Sequence, residues 1–313
     1  MLKIKNLEIS NKSSPLILPE IGINHCGSLK LAFKIVDAAK RAGAKIIKHQ
    51  THVPFDEMSL EAKKISPGNS KKNIFQIISN NSLSEEDEYK LLKYVELKKM
   101  IFISTPFSKL AVDRLVKFNV PAFKIGSGEM SNFPLLEYIC KFKKPLIVST
   151  GMHSLKEVKK TYEFLNIKKI NFAFLHTTNL YPSKDSHLRL NSITQMKKEF
   201  SNVPIGLSDH TSDLLSSIIG ITLGAKIIEK HFVHTKDIKG PDIPASIDEQ
   251  QLKELITTSE RVHKQLKGKK DRIKEEQVTR NFAYSSVVSI RDIKKGEEFS
   301  RNNLWVKRPG TGY

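Results

Sequence analysis

The chain has 313 residues, 52 Lys and Arg against 33 Asp and Glu, a formal charge of +19 and two cysteines. That length can bury a substantial core, while Cys26 and Cys140 alone exclude a disulfide framework and fit a reducing compartment. The basic excess is 43 Lys and 9 Arg, scattered rather than striped, which argues for solvated faces and against a nucleic-acid reader.

Residues 1–14 are polar and mixed, without the apolar stretch of a signal peptide, and no later run approaches a membrane span. A cytoplasmic protein with neither a membrane nor a nucleic-acid partner is expected, and the first segment should form a short β-ribbon plugging the floor of whatever follows. Eight β-branched runs come next: LILPEIG (16–22), KIIKHQTH (45–52), IFISTPF (101–107), AFKIGSG (122–128), PLIVSTG (145–151), NFAFLHTT (171–178), PIGLSDH (204–210) and AKIIEKHF (225–232). Amphipathic stretches predict helices at 28–42, 84–99, 108–119, 132–143, 154–167, 189–200, 212–223 and 248–266. Asn80, Asn81, Ser82 and Ser84 with Asp87 supply start signals for the second helix, and Ser154 with Glu157 reads as a capping box for the fifth. Strands alternating with helices eight times over predict an α/β fold, a (β/α)8 TIM barrel over 1–266 with its active site where the strands end.

Two segments depart from that rhythm. The connection 53–83, holding Pro67-Gly68-Asn69, is too long for an ordinary barrel loop and reads as a lid over the site. Residues 267–281 form a charged linker. Residues 282–313 then offer two strand-like pieces around a KKGE turn, too little to build a core alone.

The strand ends carry the chemistry. His210 and His231 close the last two strands and can hold one metal ion. With several positions left open, such a site suits a six-coordinate Mn2+ or Mg2+ better than a closed tetrahedral Zn2+. Lys48, Lys124, Ser127, Ser149, Asn179 and Ser208 converge from five strands, a set of cations and small donors suited to a phosphate with an adjoining carboxylate. The glycines of KIGSG let backbone approach an anion. Glu20 and Glu129 either position water and shuttle a proton or simply ion-pair with Lys48 and Lys124. Asp242 can accept hydrogen bonds from a polyol. Cys26 reads as a space-filling residue, because no base is placed beside it. His25, His49 and His52 lie near the mouth with no catalytic assignment.

At these residues the chain resembles a known family. PEIGINHCGS (19–28), IKHQTH (47–52), STPFS (104–108), FKIGSGE (123–129), STGM (149–152), GLSDHT (206–211), EKHF (229–232), GPD (240–242) and WVKRPG (305–310) resemble the sialic acid synthases in order and spacing. That family condenses phosphoenolpyruvate with an N-acetylated sugar aldehyde. The resemblance implies His210 and His231 as ligands of a divalent metal, Mn2+ ahead of Mg2+ or Co2+. It implies Lys48, Lys124, Ser127, Ser149, Asn179 and Ser208 around phosphoenolpyruvate, with Glu129 near the reacting carbons. Glu20, Gln50, Tyr181 and Asp242 would contact the sugar. The tail resembles the start of an antifreeze-like (SAF) domain, which in that family reaches across a homodimer, so Arg308 would grip the N-acetyl group in the partner's site. IKHQTH favours N-acetylneuraminate synthesis from N-acetylmannosamine over legionaminate or pseudaminate synthesis. A synthase acting on a phosphosugar would need a second phosphate site, for which no Arg cluster is present. A non-catalytic basic binding protein on a barrel scaffold is the reading from another class. Departures from the family pattern fall at Met130-Ser131-Asn132 and in the PSKDSHLRL loop (182–190).

Overall fold

The computed structural model describes residues 1–10, 12–66 and 72–310. An antiparallel ribbon of β1 (Leu2–Ile4) and β2 (Leu7–Ile9) comes first. The barrel strands are β3 (Leu16–Gly22), β4 (Ile46–Thr51), β5 (Ile101–Pro106), β6 (Phe123–Ile125), β7 (Leu146–Ser149), β8 (Phe172–Thr177), β9 (Ile205–Asp209) and β10 (Ile227–His231). All neighbours in this barrel pair in parallel, and β10 returns beside β3 to close it.

The helices are α1 (Leu29–Ala42), α2 (Pro54–Glu57), α3 (Ile74–Asn81), α4 (Glu85–Leu97), α5 (Lys109–Lys117), α6 (Phe133–Cys140), α7 (Leu155–Ile167), α8 (Asn191–Glu199), α9 (Leu215–Thr222) and α10 (Glu249–Gln265). Eight of them are the expected ones, slightly shortened. Ser28, Ser84, Ser108 and Asn132 cap α1, α4, α5 and α6 through side-chain oxygens, while Ser154 and Asp248 build full capping boxes for α7 and α10. Such caps satisfy amides that the helix itself leaves unpaired.

The core is split by the barrel wall. Outward strand residues such as Ile47, Phe102, Val148 and Phe174 join the inner faces of the helices. Inward residues Leu18, Ile46, Ile103, Ile147, Leu175 and Ile227 meet Leu2, Ile4 and Ile9 of the ribbon, which therefore plugs the floor as expected.

The long connection acquires definite elements, and two expectations need correction. The 53–83 connection is structured: it holds α2, a 3-10 turn at Leu60–Lys63 and α3, while Pro67-Gly68-Asn69 lies outside the described residues. Asn80 and Asn81 end α3 rather than starting the next helix, which Ser84 caps by accepting from the Asp87 amide at 3.1 Å. The fourth barrel strand stops at Ile125, because Ser127–Glu129 turn as a 3-10 segment.

The chain divides into two compact units, Met1–Leu266 and one beginning at Lys267. The second contains a 3-10 turn (Lys274–Glu276), α11 (Gln277–Ala283) and an antiparallel pair, β11 (Ser286–Ser289) and β12 (Leu304–Lys307). Most of the expected linker is thus helical or turned. The Lys294–Glu297 turn closes with Glu297 donating to the Lys294 carbonyl at 3.0 Å and Gly296 at φ +88°. Among the described residues no helix is long and apolar enough to cross a membrane.

Candidate active site

Side chains alternate along a strand, so residues two apart share the barrel interior. Stepping upward, Ile46 is followed by Lys48 and Gln50, Ile147 by Ser149, Gly206 by Ser208 and His210, and Ile227 by Glu229 and His231. The interior therefore changes from aliphatic to ionic within one two-residue step. A cavity of about 150 Å3 opens there, lined by Lys48, Gln50, Lys124, Ser127, Ser149, Asn179, Tyr181, Ser208, His210 and His231 together with Thr105, Phe107, Thr177 and Glu229.

Its centre is a buried ionic cluster. Lys48 ion-pairs with Glu20 and lies 3.6 Å from Glu229 Oε2. Lys124 reaches Glu229 Oε1 at 3.3 Å and donates to Ser149 Oγ at 2.7 Å, while Ser208 Oγ donates to Glu229 Oε1 at 2.8 Å. Burial would neutralise Glu229, but Lys124 and Lys48 outweigh it and hold the carboxyl at about 2. Burial also lowers Lys124 to about 8, against the pull of Glu229. Lys48 moves the other way: burial lowers it, but Glu20 and Glu229 together raise it above the usual lysine value. Glu20 is pushed up to about 7, chiefly by burial, with Lys48 opposing. A carboxyl near neutrality is suited to proton transfer.

The anion wall depends on one bare backbone position. Gly151 donates its N–H to Ser127 Oγ at 3.1 Å. A Cβ there would lie 1.7 Å from Asn179 Oδ1 and 2.9 Å from Ser127 Oγ, so only glycine lets these two side chains stand together. Gln50 is held from behind: its Oε1 lies 3.1 Å from His52 Nε2, and His52 Nδ1 lies 2.8 Å from Glu57 of α2. His52 is therefore a positioning residue that ties the 53–83 segment to the mouth.

His210 and His231 stand with ring centroids 5.4 Å apart, and the Tyr181 ring packs against both, at 4.2 and 5.7 Å. His210 Nδ1 sits 2.7 Å from the Thr178 carbonyl, so it carries the proton and leaves Nε2, 3.4 Å from Ser208 Oγ, as the nitrogen with the lone pair. Burial lowers His210 to about 4 and holds His231 well below the usual histidine value, leaving both imidazoles neutral at physiological pH, the form that binds metals. His231 Nδ1 is buried without a hydrogen bond, 3.7 Å from Asp242 Oδ2. Among the described residues no group of three or more His, Cys, Asp or Glu has metal-holding geometry. The donor set is thus two neutral imidazoles, which fits an open-sided cation site and not a closed one.

Glu20, His231 and Asp242 converge around Gly22, whose hypothetical Cβ would meet Glu20 Oε1 at 3.0 Å and the other two side chains at 3.4 Å. Burial raises Asp242 to about 6. Two predicted residues stand apart. Glu129 does not pair with Lys124; it accepts from Asn132 at 2.5 Å at the rim, raised by partial burial despite that bond. Arg308 is exposed and belongs to the second unit. Burial raises the Cys26 thiol, consistent with a spacer rather than a nucleophile. The residue missed from sequence is Glu229. It lies on the same inward alternation as His231, but only barrel closure brings both lysines to it.

The description of the NeuB family matches residues 35–271. The chain is 36% identical over 305 residues to the N,N'-diacetyllegionaminic acid synthase of Campylobacter jejuni, covering 95% of this chain and 91% of that protein. It is 34% identical over 304 residues to the pseudaminic acid synthase of the same organism, covering 95% and 88%. The crystal structure of N-acetylneuraminic acid (sialic acid) synthetase from Leptospira borgpetersenii in complex with citrate superposes with a TM-score of 0.81 at 27% identity, covering 89% of this chain and 94% of that one.

Proposed function

This chain belongs to the NeuB family, and from that premise we propose that it condenses phosphoenolpyruvate with an N-acetylated sugar aldehyde and water, yielding a nine-carbon 2-keto sugar acid and phosphate. It is a synthase of the transferase type, like its nonulosonic acid synthase relatives. The observation that carries the reaction is the meeting of Lys48, Lys124 and four small donors with two neutral imidazoles in one cavity.

In this reading Lys48 and Lys124, with Ser127, Ser149, Asn179 and Ser208, take the phosphate and carboxylate of phosphoenolpyruvate through charge-assisted hydrogen bonds. Glu229 bridges the two ammonium groups and limits their motion, which preorganises the anion site. Gln50, held by His52, orients the sugar with Glu20 and Asp242 so that its aldehyde carbon faces carbon 3 of phosphoenolpyruvate. Such in-line placement supplies much of the acceleration. His210 and His231 would hold Mn2+, with Mg2+ or Co2+ as substitutes, and the cation would supply Lewis-acid polarisation of the aldehyde oxygen. Glu20, poised near neutrality, is placed to accept a proton from the water that adds at carbon 2, and phosphate departs with carbon–oxygen cleavage. Glu129 stands at the rim as a candidate for the same role from the opposite side.

The second unit is proposed as the beginning of an SAF-like segment that serves a second copy of the chain. Its Phe282, Val287, Trp305 and Val306 are all more than half exposed, an apolar surface that supports docking rather than a free-standing role. Arg308 would then reach the N-acetyl group of the sugar in the partner's barrel, within a cytoplasmic homodimer. The second-strand motif points to N-acetylmannosamine as acceptor, while the Campylobacter relatives are named for other nonulosonates.

Phosphate release from phosphoenolpyruvate with Mn2+, offered N-acetylmannosamine and diacetamido sugars in turn, tests the reaction. Release that requires a sugar and stops with a chelator supports it. Absence of release with every sugar, beside salt-dependent retention on nucleic acid, would favour a basic binding protein instead.

A further inference from the structure

The outward face of the last two barrel strands changes character toward the mouth. Outward strand residues meet the surrounding helices and are normally apolar, as Leu207 of β9 and its cross-strand neighbour Ile228 of β10 are. One outward step nearer the mouth, the same two strands carry Asp209 and Lys230, again cross-strand neighbours. Both of these side chains are 0% exposed, and neither lines the reaction cavity.

The pair is tied by directed bonds to one short stretch of backbone. Lys230 Nζ lies 3.1 Å from Asp209 Oδ2 and donates to the Thr211 carbonyl at 2.7 Å and to Thr211 Oγ1 at 2.9 Å. Three acceptors thus surround an ammonium that has three hydrogens. Asp209 Oδ1 accepts from the Thr211 amide at 2.9 Å and from Thr211 Oγ1 at 2.8 Å, while Oδ2 accepts from Ser217 Oγ of α9 at 2.6 Å.

What these bonds hold is the backbone beside both histidines proposed for the metal. His210 lies between Asp209 and Thr211, each fastened to Lys230, and Lys230 immediately precedes His231. The two imidazoles therefore project inward from a single clamp on the outer side of the barrel wall. The His210 ring has its own restraint in the Thr178 carbonyl, whereas His231 Nδ1 has no hydrogen bond. Histidines that ligate metals are usually oriented through the second ring nitrogen. For His231 that orientation must come from its backbone and its packing, and the clamp fixes the backbone.

Stability alone does not require ions at this place. A buried ion pair is often matched or exceeded by apolar side chains of similar volume, and Leu207 and Ile228 occupy the step below. Apolar contacts have no direction, so they would fill the space without fixing Thr211. We propose that Asp209 and Lys230 are positioning residues that hold His210 and His231 together as one divalent-cation site. The inference rests on the metal assignment in the proposed reaction and extends it to residues outside the cavity.

The test titrates the substrate-free protein with Mn2+, following free Mn2+ by electron paramagnetic resonance, with thermal unfolding recorded beside it. Asp209→Leu with Lys230→Met removes both charges at similar volume. This double variant is expected to unfold close to the parent, while its Kd for Mn2+ rises by about 10- to 100-fold, the usual cost of losing an outer partner of a metal ligand. Thr211→Val removes the one hydroxyl that touches both ions, and it should raise the Kd by a smaller factor. It decides the matter if the double variant does not fold. Parent-like Mn2+ affinity in the folded double variant, or in Thr211→Val where only that variant folds, overturns the inference and leaves the metal assignment standing. A parent that binds no Mn2+, or binds it equally well after His231→Ala, overturns the metal assignment and the inference with it.

Discussion

The floor and the mouth of this barrel are made by the same strands, one inward step apart. At the floor, Ile46, Ile103, Ile147, Leu175 and Ile227 pack with the ribbon residues Leu2, Ile4 and Ile9. One step on, Lys48, Ser149, Glu229 and their neighbours stand equally buried but ionic. An apolar layer stabilises by removing surface from water and is indifferent to charge. Buried ions must pair, and breaking one pair leaves an uncompensated charge. The floor therefore contributes an apolar base, and the mouth groups above it are held by their own ion pairs and hydrogen bonds.

Removing an imidazole should separate the layers most sharply. His231→Ala is expected to lower metal-dependent turnover by about a thousandfold or more, since one of the two proposed protein ligands is lost. Thermal unfolding should change little by comparison. Wild-type turnover with wild-type Mn2+ affinity would remove the metal assignment. The converse change, Ile103→Ala, should cost about 2–5 kcal/mol of stability through a cavity in the floor. Its kcat/KM per folded molecule should stay near that of the parent, and a kinetic loss rivalling the stability loss would break the distinction between layers.

The pH profile gives a gentler test. Lys124 titrates at about 8 in the folded protein, chiefly because burial disfavours its charge. It is cationic below that value and neutral above it, so attraction for an anionic substrate is present at low pH and lost as pH rises. The ratio kcat/KM for phosphoenolpyruvate should thus bend downward above pH of about 8, by up to roughly tenfold per unit. A profile flat to pH of about 10 would mean that Lys124 does not meet the substrate. The smallest effect belongs far from either layer: Ser154→Ala removes a capping box from α7 and should cost about 1 kcal/mol with unaltered kinetics. Denaturant titration beside a standard assay measures both.

Most barrel elements were legible because buried parallel strands read as β-branched runs and their helices carry one apolar stripe. The helix α3 was not. Its isoleucines follow the helical period, yet they sit in a connection punctuated by Pro67-Gly68-Asn69, and Asn80 and Asn81 resemble a start signal when their surroundings are unknown. Lys48, Lys124, Ser149, Ser208, His210 and His231 were legible as a set because each ends a strand. Glu229 shares that position, but its worth depends on two lysines from β4 and β6, which closure alone brings to it.

By itself, the amino-acid order determined the alternation of strand and helix, the aliphatic floor and the polar residues at the strand ends, since these follow from local periodicity and from the change in residue type along each strand. The tertiary structure decided which ions share a proton field and which glycines leave room for Glu20 and Asn179. Those outcomes depend on distances between segments remote in the chain, and electrostatic and steric energies are set by such distances rather than by sequence neighbours.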